Sequence, residues 1–441
     1  MRSTWRSTFP IVLLTFTLAV TGRATAGVVG LPAWDVVQTP DTGTEASEFR
    51  GVQVLSSSEV WAVGRRGNST LTERWDGSSF SIVPSPNAAN RKNVLEDVDG
   101  TGSTDLWAVG HADSIDFVGS RTFILHWNGS AWSRVPSPNR GVSTDQNVLT
   151  GVAAITPTDA WAVGFFQTTD PTKAAALTYH WNGTAWMSVP NPCAPFLRDV
   201  FALSSTNVWA VGGAVSCRWN GSSWKRIPIA PPITDVSVDL QDVSGTASND
   251  LWAVGIGSSS CGEGQVCYSG VIEHWNGTAW MFVGGGPVLY GVHALAASDV
   301  YAVGQGIGPA VLHYDGSGWS NVPQPWPPPP GQLFTVDAVS ASTLWAIGII
   351  PGNPSTTFAE RAPSPTSGAV VGDTGVSFAT VSWFGPESSS VQTDPSGQYQ
   401  AGGLTAGQYT FTATEPGCTP ASKQVTVVAG TTISVPLPIK C

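Results

Sequence analysis

Trp107-Ala108-Val109-Gly110, followed by His126-Trp127-Asn128-Gly129-Ser130-Ala131-Trp132, decides the fold of this chain because the pattern recurs. Tetrads close to Trp-Ala-Val-Gly start at Trp61, Trp107, Trp161, Trp209, Trp252, Tyr301 and Trp345, at intervals of 46, 54, 48, 43, 49 and 44 residues. A Leu-x-x-Val type run such as Leu95 to Val98 precedes the tetrad, and two more short apolar runs follow it. Four strands in a repeat of about 40–50 residues make one propeller blade, so the chain reads as an all-β, seven-bladed β-propeller.

We call the four strands of a blade a to d, with the tetrad as strand b. Ten residues separate the strand-a positions Gly51, Asp97, Gly151, Asp199, Asp242, Gly291 and Thr335 from the tetrad aromatics. Five separate the strand-c and strand-d aromatics, as in Trp127 and Trp132. The b to c distance instead runs from 10 to 23 residues and the d to a distance from 11 to 19. Those two connections emerge on the same side of an up-and-down blade, so one face is fixed and the other carries the variation. The Asn-Gly and Asp-Gly pairs after strand c read as type I′ turns, a two-residue hairpin in which Trp127 faces Ser130 and Leu125 faces Trp132.

The seventh repeat stops early. Phe358-Ala359-Glu360-Arg361 aligns with Leu71-Thr72-Glu73-Arg74 as strand c, but Pro363 and Pro365 stand where strand d is due. Trp34-Asp35-Val36-Val37-Gln38-Thr39-Pro40 matches the register of Trp132 to Pro138 and has no a, b or c strands of its own. The N-terminal segment is therefore expected to supply the missing strand, closing the ring as a three-plus-one blade and removing open edges.

Residues 1–26 read as a signal peptide, with Arg2 and Arg6, an apolar run from Phe9 to Val20 and Ala24-Thr25-Ala26 as the cleavage site. No later apolar run approaches the roughly 20 residues that span a bilayer, so a soluble exported protein is expected. The propeller is assigned to 27–363 and a second domain to 364–441. A net charge of −11 with 12% charged residues leaves no basic stripe, which argues against nucleic acid and anionic membranes as partners. Six cysteines in an exported chain favour disulfides, and their spacing suggests Cys193 with Cys217, Cys261 with Cys267, and Cys418 with Cys441.

The tetrads, each followed by an Asn-Gly or Asp-Gly hairpin and a further aromatic, resemble secreted bacterial propellers of the kelch and galactose-oxidase central-domain type. They are similar also to photosystem II stability factor repeats. From Pro365 onward, Thr393-Asp394-Pro395-Ser396-Gly397-Gln398-Tyr399 and Leu404-Thr405-Ala406-Gly407-Gln408-Tyr409 resemble the carboxypeptidase regulatory-like domain, a transthyretin-like module of carbohydrate-binding-like fold. That resemblance implies a small antiparallel sandwich with a structural or sugar-binding accessory role. It implies no peptidase, and no zinc-ligand motif such as His-x-x-Glu occurs in the chain.

Few residues point to chemistry. His126, His180, His274 and His313 repeat on separate blades, with Arg74 and Arg218 in the same place elsewhere, which marks a structural position rather than a metal site. Asp97 to Asp105 resembles the start of a calcium loop but has Ala108 where the bidentate Glu belongs. Four of five glycosylation sequons coincide with the Asn-Gly turns and follow from turn chemistry. No nucleophile elbow or phosphate loop stands out, and no cofactor or metal is expected. The candidate ligand-binding residues lie on the variable face: Asp116, Phe117, Phe165, Phe166, Asp170, Tyr268 and Trp326, polar groups beside aromatic surfaces that suit a sugar or a protein. The expected function is a secreted, non-catalytic protein that binds an extracellular glycan or protein through this face. The alternatives are a carbohydrate-active lyase or hydrolase at the pore and a structural or adhesive surface component. Carboxylates and a basic residue converging in the pore would favour the enzyme, and a shallow aromatic groove away from it the binder.

Overall fold

A computed structural model describes residues 34–40, 45–116, 118–230, 235–262, 264–306, 308–322, 331–362, 367–386, 388–428 and 432–441. The leader, Phe117 and Trp326 lie outside them. Seven four-stranded antiparallel sheets occupy residues 35–361. Their innermost strands are Ser47–Ser56, Arg91–Gly102, Gln146–Thr156, Asp199–Ser204, Ser237–Ala247, Val288–Ala296 and Gln332–Ser340, taken as strand a of blades 1 to 7. Each innermost strand packs on the next, and that of blade 7 packs on that of blade 1, so the ring is closed.

The closing blade forms as expected. Asp35–Val37 pairs antiparallel with Thr356–Arg361, Val36 opposite Glu360, and completes the sheet of blade 7. Trp34 is 3% exposed in a cluster with Tyr301, Val311 and Phe358. Thr39 Oγ1 lies 2.6 Å from Thr357 Oγ1.

Aromatic rings weld the blades. Trp61 of blade 1 packs on Trp127 and Trp132 of blade 2, with centroids 4.7 and 5.5 Å apart. The same three-ring contact joins Trp107 to Trp181 and Trp186, Trp161 to Trp219 and Trp224, Trp209 to Trp275 and Trp280, and Trp252 to Tyr314 and Trp319. Trp345 closes the ring on Trp75 and Phe80 of blade 1. Strand b thus carries large indoles beside small Ala, because every sheet face is buried against a neighbour.

The c to d turns correct the sequence reading. Trp127 faces Trp132 and Leu125 faces Arg134, so the loop is Asn128 to Ala131, four residues and not two. Only the glycine has positive φ, 91° at Gly129, whereas a type I′ turn needs it at both positions. The asparagine acts through its side chain: Asn128 Oδ1 accepts from Ser130 N, Ser130 Oγ and Ala131 N at 3.0, 2.8 and 3.0 Å. Thr184, Ser222 and Thr278 repeat this on Asn182, Asn220 and Asn276, which accounts for the hydroxyl residue of each of those four sequons.

Residues 367–434 form two further sheets. One joins Gln398–Thr405, Ser367–Asp373 and Thr432–Ser434; the other joins Ser388–Gln392, Thr380–Phe384, Gly407–Thr414 and Ala421–Val427. Val370, Tyr399, Tyr409 and Phe411 fill the space between them. Disulfides join Cys261 to Cys267 and Cys418 to Cys441. Cys193 and Cys217 do not form the third bridge that their spacing suggests. They are buried free thiols in one apolar cluster between blades 3 and 4, where a cysteine packs as a small hydrophobe. Among the described residues no helix is long and apolar enough to cross a membrane.

Two tests follow from this packing. Trp34→Ala removes the indole that closes blade 7 and is expected to lower the unfolding free energy by about 3–5 kcal/mol in urea titration; an unchanged midpoint would refute the closure. Burial raises the Glu360 carboxyl to about 8 and the Glu273 carboxyl to about 7. Both are raised, so the folded state binds protons that the unfolded state has released. Their contribution is complete below the ordinary glutamate range near 4.5 and is lost as pH climbs through 7 to 8. The melting temperature should fall between pH 5 and pH 9, and Glu360→Gln should flatten that fall.

Candidate binding site at the pore mouth

Strand a carries a bulge in the same place around the ring. Register slips between Phe49 and Gly51, Leu95 and Asp97, Leu149 and Gly151, Leu240 and Asp242, Leu289 and Gly291, and Leu333 and Thr335. One residue is extra each time, and a bulge re-aims that residue out of the pleat. In blade 4 the equivalent, Arg198, immediately precedes the strand and donates its amide to Val211 O at 2.7 Å. These seven residues line one cavity of about 190 Å³ at the pore. Arg50 and Arg198 are its cations, Glu96 its acid, Thr150 and Gln241 its neutral polar groups, and Tyr290 and Phe334 its aromatics. They lie toward the glycine end of the tetrads, the end from which the variable b to c connections leave.

Ion pairs brace the rim. Arg50 Nη2 donates to Glu48 Oε1 at 2.9 Å and Nη1 lies 3.8 Å from Glu96 Oε2, while Arg65 holds the same Glu48 oxygen at 2.7 Å. Burial works against the charge of Glu48, but Arg50 and Arg65 outweigh it and hold the carboxyl below its ordinary range. The Arg50 guanidinium stands 5.0 Å over the Phe334 ring, and Phe334 meets Tyr290 edge to face at 5.7 Å. Across the ring, Arg198 donates to Asp239 Oδ2 at 3.0 Å.

Beneath the rim lie Asp97, Asp199 and Asp242, lining the same cavity. Each also ties its blade to the next: Asp97 accepts Val152 N at 2.8 Å, Asp199 accepts Val243 N at 3.2 Å and Asp242 accepts Val292 N at 2.7 Å. Asp99 to Ala154 N and Asp337 to Val54 N repeat the clasp one layer down. Innermost strands of adjacent blades do not pair with each other, so a carboxylate takes the edge amide that a neighbouring strand would otherwise satisfy. Where the blade behind needs room the position is glycine: a Cβ on Gly51 would lie 2.6 Å from Asp97 Cα, and one on Gly151 2.7 Å from Asp199 Oδ1. Asp199 and Asp242 occupy adjacent blades and are hydrogen-bonded to each other. Burial first, and then that pairing, raises the Asp199 carboxyl well above the carboxylate range. Burial likewise raises Asp99 to about 7.

The residues chosen from sequence do not gather here. Asp116 is exposed and turned into its own loop, where Ser114 and the Val118 amide lower its pKa. Phe165 packs on Phe196 at 5.3 Å, and Phe166 is buried beneath Arg140. Asp170 caps the short helical turn Pro171–Lys173, accepting from Thr172 N and Oγ1 at 3.0 and 2.6 Å. Tyr268, 59% exposed, stands on the tall hairpin of blade 5 beside the Cys261–Cys267 bridge. The sequence reading missed the bulge residues, although a signal existed: all seven lie eleven residues ahead of the tetrad aromatic.

The recurring histidines are structural. His126, His180, His274 and His313 bond Asp105, Asp159, Asp250 and Asp299 at 2.7 to 2.8 Å and lie over the tetrad aromatic of their own blade. The calcium-like run is dispersed, since Asp97 and Asp99 face blade 3 while Asp105 bonds Thr101 and His126. Among the described residues no group of three or more His, Cys, Asp or Glu is placed to hold a metal.

Residues 366–438 match the family model of the carboxypeptidase regulatory-like domain, so the C-terminal module is of that kind. No curated protein matches the chain. Among solved structures the chain is similar to YCF48 from Cyanidioschyzon merolae, at 15% identity over 75% of this chain and 98% of that one, with a TM-score of 0.47. It is similar to the extracellular domain of the hybrid two-component system BT4673 from B. thetaiotaomicron, at 13% identity over 75% and 40%, TM-score 0.47. It is similar also to the GH93 alpha-L-arabinofuranosidase of Fusarium graminearum, at 10% identity over 75% and 96%, TM-score 0.43.

Asp97→Ala should cost about 1–3 kcal/mol by orphaning the Val152 amide. Asp199→Asn keeps a donor toward Asp242 and should leave the melting temperature unchanged at pH 5 while raising it at pH 9. A loss at both pH values would show that the Asp199 carboxyl is not raised.

Proposed function

We propose that this is an exported binding protein that receives an extracellular glycan or protein at the variable-face mouth of its pore. The observation that carries the reading is the convergence of six bulged residues and Arg198 of blade 4, one residue per blade, on a single cavity. Arginine and aromatic residues are enriched in the cores of binding interfaces. The leader-like residues 1–26 support export.

The pore also gathers carboxylates and arginines, the arrangement that would favour an enzyme. Its geometry supports binding better. Glycoside hydrolysis places two carboxyl groups about 5–9.5 Å apart across the scissile bond. Asp199 and Asp242 instead touch each other, and each has an oxygen engaged by a backbone amide. An assay of reducing-sugar release tests this second reading: turnover that disappears in Asp242→Asn would establish it over the first.

For the binding reading, the mature protein should be screened against a glycan array and a displayed random-peptide library. Whatever binds is expected to weaken about tenfold or more in Arg198→Ala and Tyr290→Ala, as central contacts do, and to be unaffected by Asp170→Ala or Tyr268→Ala. The reverse pattern would move the site to the outer loops.

A further inference from the structure

The cations of the mouth are already engaged. Arg50 is shared between Glu48 and Glu96, and Arg198 is held by Asp239, whose other oxygen takes the Gly213 amide at 2.9 Å. Directly below stand the carboxyl groups of Asp97, Asp199 and Asp242. An anionic ligand entering here would shed water, find both guanidiniums occupied and meet three acids. A polyol suits the same lining. Its hydroxyls donate to carboxylate oxygens and to Thr150 Oγ1, whose own hydrogen goes to Leu197 O at 2.9 Å, and accept from guanidinium N–H and from the Gln241 amide. Tyr290 and Phe334 add ring surface for the C–H face of a sugar.

Shape restricts the ligand further. Seven blades enclose the mouth on every side. One layer below, Gln53 Nε2 donates to Asp337 at 3.3 Å, Gln53 Oε1 accepts Gly100 N at 3.2 Å, and His293 Nδ1 lies 2.9 Å from Asp337. These contacts link the neighbouring blades 6, 7, 1 and 2 round one side of the channel. The cavity volume of about 190 Å³ falls below the roughly 300–1,000 Å³ that encloses drug-sized ligands, which leaves room for one ring and not for a chain.

We infer, on the reading that the mouth is the binding site, that its ligand is the neutral terminal unit of a glycan, taken end-on between the bulge residues, and that uronate-terminated chains are rejected. The polymer leaves along the pore axis through the variable face. A sugar chain without a free end does not enter.

The test is an array carrying linear gluco-, galacto-, manno- and xylo-oligosaccharides, uronate-terminated counterparts of each, and cyclodextrins as chains without ends. At least one neutral linear series is expected to bind. Its uronate counterpart should be at least tenfold weaker and the cyclodextrins silent. Gln241→Leu and Tyr290→Ala should each weaken binding at least tenfold with melting temperatures unchanged. Equal binding of uronate-terminated or cyclic forms overturns the inference. So does an array without signal combined with library peptides that depend on Tyr290, a result that leaves the mouth as the site but assigns it a protein. Binding indifferent to both Arg198→Ala and Tyr290→Ala, or silence from array and library alike, overturns the inference and the mouth reading together.

Discussion

The contact on which the ring depends is the seat that each blade offers to the indole before it. In six of the seven junctions a tetrad tryptophan is held between the strand-c and strand-d aromatics of the next blade, with centroids 4.7–5.0 Å and 5.1–5.9 Å away. Each such pair adds about 0.5–1.5 kcal/mol beyond the area it buries. Because the distances barely vary, the angle between blades barely varies, and the inner radius is set. The pore mouth is therefore a rigid frame whose chemistry is chosen one residue per blade. The remaining junction uses Tyr301 against Trp34 at 6.3 Å, where the seat comes from the N-terminal strand.

Much of this was legible in the sequence, for physical reasons that differ by element. Large aromatics at constant offsets gave the seams, because a rigid contact tolerates no change in spacing. The orphan run from Trp34 was readable because blade 7 ends in prolines. The c to d register was not, since Asn128 acts through its side-chain oxygen and the dipeptide rule considers only its backbone. The bulge residues were missed for a related reason. Alternation assigns Arg50 or Tyr290 a face of the sheet, and one inserted residue sends it into the channel instead. Asp170 and Phe166 are of the right type and lie on the variable-face connections, yet a capping hydrogen bond and a cation over the ring already occupy them.

The carboxylates around the channel serve the fold before they serve a ligand. Five of them take edge amides of the following blade. Confining that many acids in a narrow space raises the cost of ionising them. Acidity and architecture are thereby linked: the groups that make the lining polar also hold the blades in register. A ligand that reaches them meets partners fixed in place, which lowers the entropy lost on binding.

The three-plus-one blade also constrains how the molecule is made. Thr39 and Thr357, 318 positions apart in the polypeptide, face each other across the junction. A chain emerging amino end first presents Trp34 when six and three-quarter blades are still to come, so that strand waits without a sheet while the others assemble. The ring can shut only after residue 361 is free. Until then Phe358 and Tyr301 lack their cover, and the nascent molecule is an open arc with one apolar flank, the stage at which a chaperone or a second copy of the arc would compete with correct closure.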